Sequence, residues 1–150
     1  MRIIDELAKY EDKSIKSGSS SKQGIVLDIE TETVDNNNFR KVLYTGEHSQ
    51  LVLMSVDTDI GEEVHETIDQ FFRIDAGEGI VVISGVEHDI KNGSAFIIPA
   101  GTKHNIINKG KAPLKLYSIY SPPNHKDGTI HKTKEDASKS KEKFDGESSE

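Results

Sequence analysis

The chain has 150 residues, a formal net charge of −7 and no cysteine. That length suits one domain with a single core, and the missing cysteine excludes disulfides, thiolate metal sites and a cysteine nucleophile. The acidic balance argues against a nucleic-acid partner, whose phosphates need clustered Lys and Arg, and no apolar run approaches the roughly 20 residues of a membrane span.

In chain order, the first ten residues lack a sustained apolar stretch and turn acidic early, so no signal peptide is expected and the location is read as cytoplasmic. Residues 2–10 place Ile3, Ile4 and Leu7 on one face of a short helix. Residues 11–24 are rich in Ser, Gly and Lys and read as a linker, so 1–24 is a flank. Short β-rich segments then recur at 25–29, 40–45, 50–56, 70–76, 79–84, 86–90, 94–99, 104–108 and 114–121. Their punctuation is Asn36-Asn37-Asn38, the Gly77 and Gly79 pair, Lys91-Asn92-Gly93 and Asn108-Lys109-Gly110. Many short strands between Gly and Asn turns predict an all-β antiparallel sandwich or barrel over residues 25–122. Residues 123–150 follow Pro122-Pro123. Their first part, with His125, Ile130 and His131, predicts a strap across the barrel. From about residue 133 the chain is Lys/Glu/Ser-rich and predicts a disordered or loosely helical tail.

The densest information lies between Gly93 and Asn108, where Gly93, Pro99, Gly101, His104 and Asn108 stand at fixed offsets around two β-rich stretches. Gly93 permits the positive φ of a tight turn, Pro99 presets a bend at a strand end and Gly101 completes it. His104 then opens the next strand. Upstream runs Gly61-Glu62-Glu63-Val64-His65-Glu66-Thr67-Ile68-Asp69-Gln70, leading to Gly77 and Gly79. The downstream pattern resembles the second signature motif of the cupin family, and the upstream one resembles a modified first motif. The resemblance implies a double-stranded β-helix, the cupin jelly-roll barrel. In the family's usual first motif a His-x-His pair is followed by three or four residues, a glutamate, six residues and a glycine. Counting back from Gly77 puts Gln70 at the glutamate, His65 at the second histidine and Glu63 where the first histidine belongs. The resemblance therefore implies a metal site of Glu63, His65, Gln70 and His104.

Side chains two apart on a strand share a face. With Gln70 inward, Phe72 and Ile74 follow it, while Phe71 and Arg73 face out. His104 and Ile106 share an inward face, and Glu63 and His65 can face the same cavity. The interior is then an apolar chamber (Phe72, Ile74, Ile106, with Val52 or Leu53) around one polar cluster, the layout of a small-molecule site. Two imidazoles and a carboxylate suit non-haem Fe(II), and Mn(II), Ni(II) and Zn(II) are compatible. Cupins that open unsaturated uronates or cyclise polyketides use His-His-Gln-His sets, so Gln is at home there. Glu at the first position is the larger departure. The alternative is a metal-free barrel whose histidines are ordinary hydrogen-bonded interior groups.

Other residues carry weaker signals. Glu66 and Asp69 are acid–base candidates near a metal, with a solvated rim as the plainer role. Arg40 and Arg73 match anionic groups, although surface salt bridges explain both. Tyr44, Tyr117 and Tyr120 are donors or packing groups, and His48 reads as a surface residue. The span from Phe39 to about Asp136 also resembles the mannose-6-phosphate isomerase-like group of small cupins, a label that records barrel similarity and no reaction. Three functions remain: a metal-dependent isomerase, lyase or dioxygenase acting on a small oxygenated metabolite such as a sugar or organic acid, a non-catalytic sugar- or acid-sensing barrel, and a storage role. Four polar residues at ligand positions favour the first. Outward Phe71 asks for cover, and a homodimer supplies it.

Overall fold

Glycine and asparagine turns cut the central chain into strands at the expected intervals, and the computed structural model describes them within residues 21–150. The helix expected over 2–10 and most of the 11–24 linker lie outside the described residues. Residues 21–28 have no regular structure, and α1 (Ile29–Asp35) follows. Then come β1 (Arg40–Thr45), β2 (Gln50–Val56), β3 (Asp69–Ala76), β4 (Glu78–Ile83), β5 (Val86–Lys91), β6 (Ala95–Ile98), β7 (His104–Asn108), β8 (Leu114–Ser121), β9 (Ile130–His131) and α2 (Lys134–Lys139). The helix at 29–35 corrects the strand expected over 25–29. Asp28 caps it by accepting from the Thr31 N–H at 3.2 Å, and Glu30 and Glu32 favour its first turn electrostatically.

The strands form two antiparallel sheets, ordered β6-β3-β8-β2-β1-β9 and β5-β4-β7. Their facing sides close the expected jelly-roll barrel, with Phe72, Ile74, Leu116, Met54 and Val52 of the large sheet packed into one core with Val81, Ile90 and Ile106 of the small one. Register sets the inner face in rows. Gln70, Tyr120 and Gln50 align across β3, β8 and β2; next come Phe72, Ser118 and Val52, then Ile74, Leu116 and Met54. Val56 and Leu114 form the last row. One end of the barrel is therefore polar and the other apolar. Phe71 faces out as its parity requires, half-buried against Tyr117 with ring centroids 6.2 Å apart.

The tail corrects the expectation of disorder. Helix α2 is capped by Thr133, which accepts from the Asp136 N–H at 3.0 Å. Beyond it the chain follows the barrel's surface. The Phe144 N–H donates to the Asn124 carbonyl at 3.0 Å, the Ser149 N–H to the Thr45 carbonyl at 2.8 Å, and the Tyr44 hydroxyl to the Glu150 carboxylate. A composition with little apolar surface cannot form its own core, but its polar groups satisfy barrel groups that would otherwise face water.

The closest backbone approach is at Gly79. A Cβ there would stand 2.2 Å from the Ile107 carbonyl oxygen and 2.9 Å from Leu114 Cδ1. Gly79→Ala should therefore cost at least about 2 kcal/mol in urea denaturation. Gly85→Ala meets no atom within 4 Å and should lose only about 1 kcal/mol, the strain of its positive φ.

Candidate metal centre

Two chain segments meet at the polar end. Glu63, in the loop between β2 and β3, exchanges both backbone hydrogen bonds with His104 at the start of β7, each at 2.9 Å. This antiparallel pair puts the two side chains on one face. His65, two residues on, turns to the same side, and its carbonyl accepts from the Gly101 N–H at 2.8 Å. The Gly101 turn has φ +78°, which glycine adopts without strain. Asp69, expected at the rim, ties the same turn down by accepting from the Ala100 N–H at 2.9 Å.

The three ligand atoms of Glu63, His65 and His104 lie within 4.8 Å of one another. Glu63 Oε2 is 3.2 Å from His65 Nε2 and 3.8 Å from His104 Nε2, and the two imidazole centroids are 5.6 Å apart. Donors each about 2.1 Å from one ion stand roughly 3.0–3.4 Å apart at octahedral or tetrahedral angles, so the spacing fits an ion after small adjustments. His104 Nδ1 lies 2.9 Å from the Thr102 carbonyl, which fixes the Nδ1–H tautomer and leaves Nε2 a lone pair. That Nε2 is buried without a hydrogen-bond partner. Gln70 sits on the inner face, 2 % exposed, and its Nε2 donates to Ser118 Oγ at 2.8 Å. Its Oε1 is likewise buried and without a partner. Burial works to raise the Glu63 carboxyl, but the hydrogen bond to His65 and the nearby His65, Arg40 and His104 outweigh it and hold the pKa below the usual carboxylate value. Three of the four expected residues thus gather around one point, and Gln70 lies on the inner face in the row of Tyr120.

Sequence reasoning missed how the residues behind them assemble, and with them the parts played by Gln50 and Glu142. Tyr120 is fully buried, aligned with Gln70 across β3 and β8, and its ring lies 5.8 Å from that of His65. Burial pushes its hydroxyl up to about 12, against the donors of Arg40 and Gln70. The same hydroxyl is 3.2 Å from His125 Nε2, and His125 Nδ1 is 2.7 Å from Glu142 Oε1. Glu142 also accepts from the Lys126 N–H at 2.8 Å. Gln50 holds this strap in place: its amide donates to Thr45 Oγ1 and the His125 carbonyl and accepts from the Asn124 and His125 N–H groups. Arg40 is buried, not a surface cation, and its Nη1 donates to His131 Nδ1 at 3.1 Å. Pairing of distant segments makes this cluster, so no local spacing announces it; Arg40 and Tyr120 are candidates by residue type alone, His125 and His131 only as parts of the strap, and Glu142 is not among them.

The remaining candidates lie elsewhere. Glu66 is exposed beside Gly101. His48 is exposed beside Glu47, Arg73 pairs outside with Asp75 at 3.6 Å, Tyr44 serves the tail and Tyr117 packs against Phe71.

Comparison with known proteins follows the same lines. The model of the cupin domain matches residues 50–120. YrkC of Bacillus subtilis (strain 168) is 44% identical over 144 residues, which cover 91% of this chain and 77% of that one. Protein L612 of Acanthamoeba polyphaga mimivirus is 41% identical over 118 residues, 75% of this chain and 74% of its own. The crystal structure of BH2720 from Bacillus halodurans superposes with a TM-score of 0.78 at 42% identity, covering 81% of this chain and 98% of that one. KdgF from Halomonas sp. shares the fold at a TM-score of 0.51 and 22% identity, over 55% of this chain and 76% of its own. A double-stranded β-helix with a polar cluster at one end defines the class, and the chain belongs to the cupin family. Among the described residues, no helix is long and apolar enough to cross a membrane.

The histidine cluster gives the stability a sign. Burial depresses His125 and His131, although Glu142 opposes it in both cases. The unfolded chain takes up protons near about pH 6.5 while the folded histidines resist them. Below that value the unfolded state binds more protons, so stability falls as pH falls. The urea midpoint of EDTA-treated protein should drop between pH 7.5 and pH 5.5, and His125→Gln should shrink that drop.

Proposed function

We propose that Glu63, His65, Gln70 and His104 hold one divalent transition metal, of the Fe, Mn, Ni or Zn class, and that the barrel is a metal-dependent enzyme acting on a small oxygenated molecule. The observation that carries this reading is the pair of buried, unpartnered ligand atoms, His104 Nε2 and Gln70 Oε1. Buried polar atoms are nearly always paired, and here both orphans belong to the set reached by counting residues. Such a metal polarises a carbonyl or enediol oxygen when bound. Tyr120 keeps its proton at neutral pH and stands beside the cluster as a donor. His125, fixed by Glu142, is the group through which that proton is exchanged with the outside. A chain that moves protons favours isomerase or lyase chemistry. Glu66, exposed at the rim, does not enter this scheme. A cytoplasmic homodimer belongs to the same reading: outward Phe71 is aligned with Ile97, which is 63% exposed on edge strand β6.

Protein purified without added metal should carry close to one equivalent of a divalent transition metal by elemental analysis. His104→Ala should remove it, since one of two strong nitrogen donors is lost. Gln70→Glu should retain or tighten it, because a carboxylate replaces a neutral amide. Stoichiometric metal in His104→Ala would overturn the site, and a metal-free wild type would leave a non-catalytic binding barrel. For the dimer, sedimentation at micromolar concentration should give twice the monomer mass, and Phe71→Glu should halve it.

A further inference from the structure

Behind Glu63 the chamber contains a buried cation with no carboxylate to match it. Arg40 is 7% exposed, and no carboxylate oxygen among the described residues comes within 4.0 Å of its guanidinium nitrogens. Its Nε is buried and without a partner. Its Nη1 donates to His131 Nδ1, a neutral acceptor. Phe39 carries the guanidinium on its ring face, 5.3 Å from the centroid, which fixes the fork's orientation. Removing a guanidinium from water is expensive unless an anion compensates it. Glu63 does not fill that role, because its carboxylate is turned to His65 and His104.

Arg40 and Glu63 line one small cavity of about 160 Å³ together with Phe39, Ile60 and the α2 residues Lys134, Ala137 and Ser138. Pockets that hold drug-sized molecules start near about 300 Å³, so this one admits a ligand of few heavy atoms. With a divalent ion on the neutral His65, Gln70 and His104 and the single carboxylate of Glu63, adding Arg40 leaves an excess of positive charge. An incoming anion would offset it.

We infer that Arg40 is the anion-holding residue of this chamber and that its ligand is a small organic acid whose carboxylate lies against the guanidinium fork. The inference deepens the metal-centre reading, on which its charge balance rests; the unmatched burial of Arg40 stands without it. It selects the organic acid over the neutral sugar among oxygenated ligands. A planar guanidinium fork can take a carboxylate through two parallel hydrogen bonds, which a lysine cannot reproduce.

The test is calorimetric titration of the full-length protein with acetate, glycolate, pyruvate and malonate, and with the neutral acetamide and malonamide, with metal content measured before and after. At least one carboxylate should bind tenfold or more tightly than the amides. Arg40→Met should lose that preference at least tenfold while keeping the wild-type metal content, and Arg40→Lys should keep only part of it. If no carboxylate binds the wild type better than Arg40→Met, the inference fails. Should Arg40→Met not fold, wild-type affinity in Arg40→Lys overturns it and a partial loss supports it. A wild type without metal that still shows the Arg40-dependent preference would sink the metal reading and leave the anion site standing. Bound metal with no preference would do the reverse.

Discussion

Two backbone hydrogen bonds between Glu63 and His104 decide where the chemistry can be. They tie the long loop after β2 to the first residue of β7 as a short antiparallel pair. Everything polar at that end depends on this pairing. It sets Glu63 against His104, carries His65 to the same side, and brings the Gly101 turn under the His65 carbonyl. A loop free to move would scatter side chains that the pairing holds within reach of one another. Here the backbone sets the spacing and the side chains only complete it.

The division of the interior into a wet end and a dry end follows from register. Because β2, β3 and β8 keep antiparallel register as far as Ile74, each of the first three rows of the inner face takes one residue from each strand. Gln50, Tyr120 and Gln70 fall in one row, and all are buried. Their polar atoms demand partners, which come from the strap, Ser118 and Arg40. Apart from Ser118 the rows behind are apolar, so the field of the cluster acts in a medium of low polarity where it is less screened.

Much of this was legible in the chain. Strands β1, β2, β7 and β8 begin and end where Asn, Gly and Pro say they should, because those residues set turns by local geometry. The inward face of Gln70 followed from counting back from Gly77, and its neighbours from the two-residue strand period. What was not legible depends on segments far apart in sequence. Tyr120 reads as a packing aromatic until His125 returns beside it, and Glu142 reads as one more acid in a polar tail. Arg40 looked like a surface cation because residue type does not report burial. The helix at 29–35 hid because Ile25, Val26, Leu27 and Ile29 carry strand-like residues, while Asp28 and the acids after it set the local structure.

At the dry end, one side chain closes the barrel. Asn108 donates to the carbonyls of Val56, Asp57 and Ala112 and accepts from the Gly110 N–H, so a single amide ties the end of β2 to the turn between β7 and β8. At the opposite end helix α2 stands beside Arg40 and Glu63 and lines the cavity they share. Ala137 is the helix's contact with the core, and the other five of its six residues are exposed. The polar tail, chemically the plainest part of the chain, thus supplies one wall of that cavity.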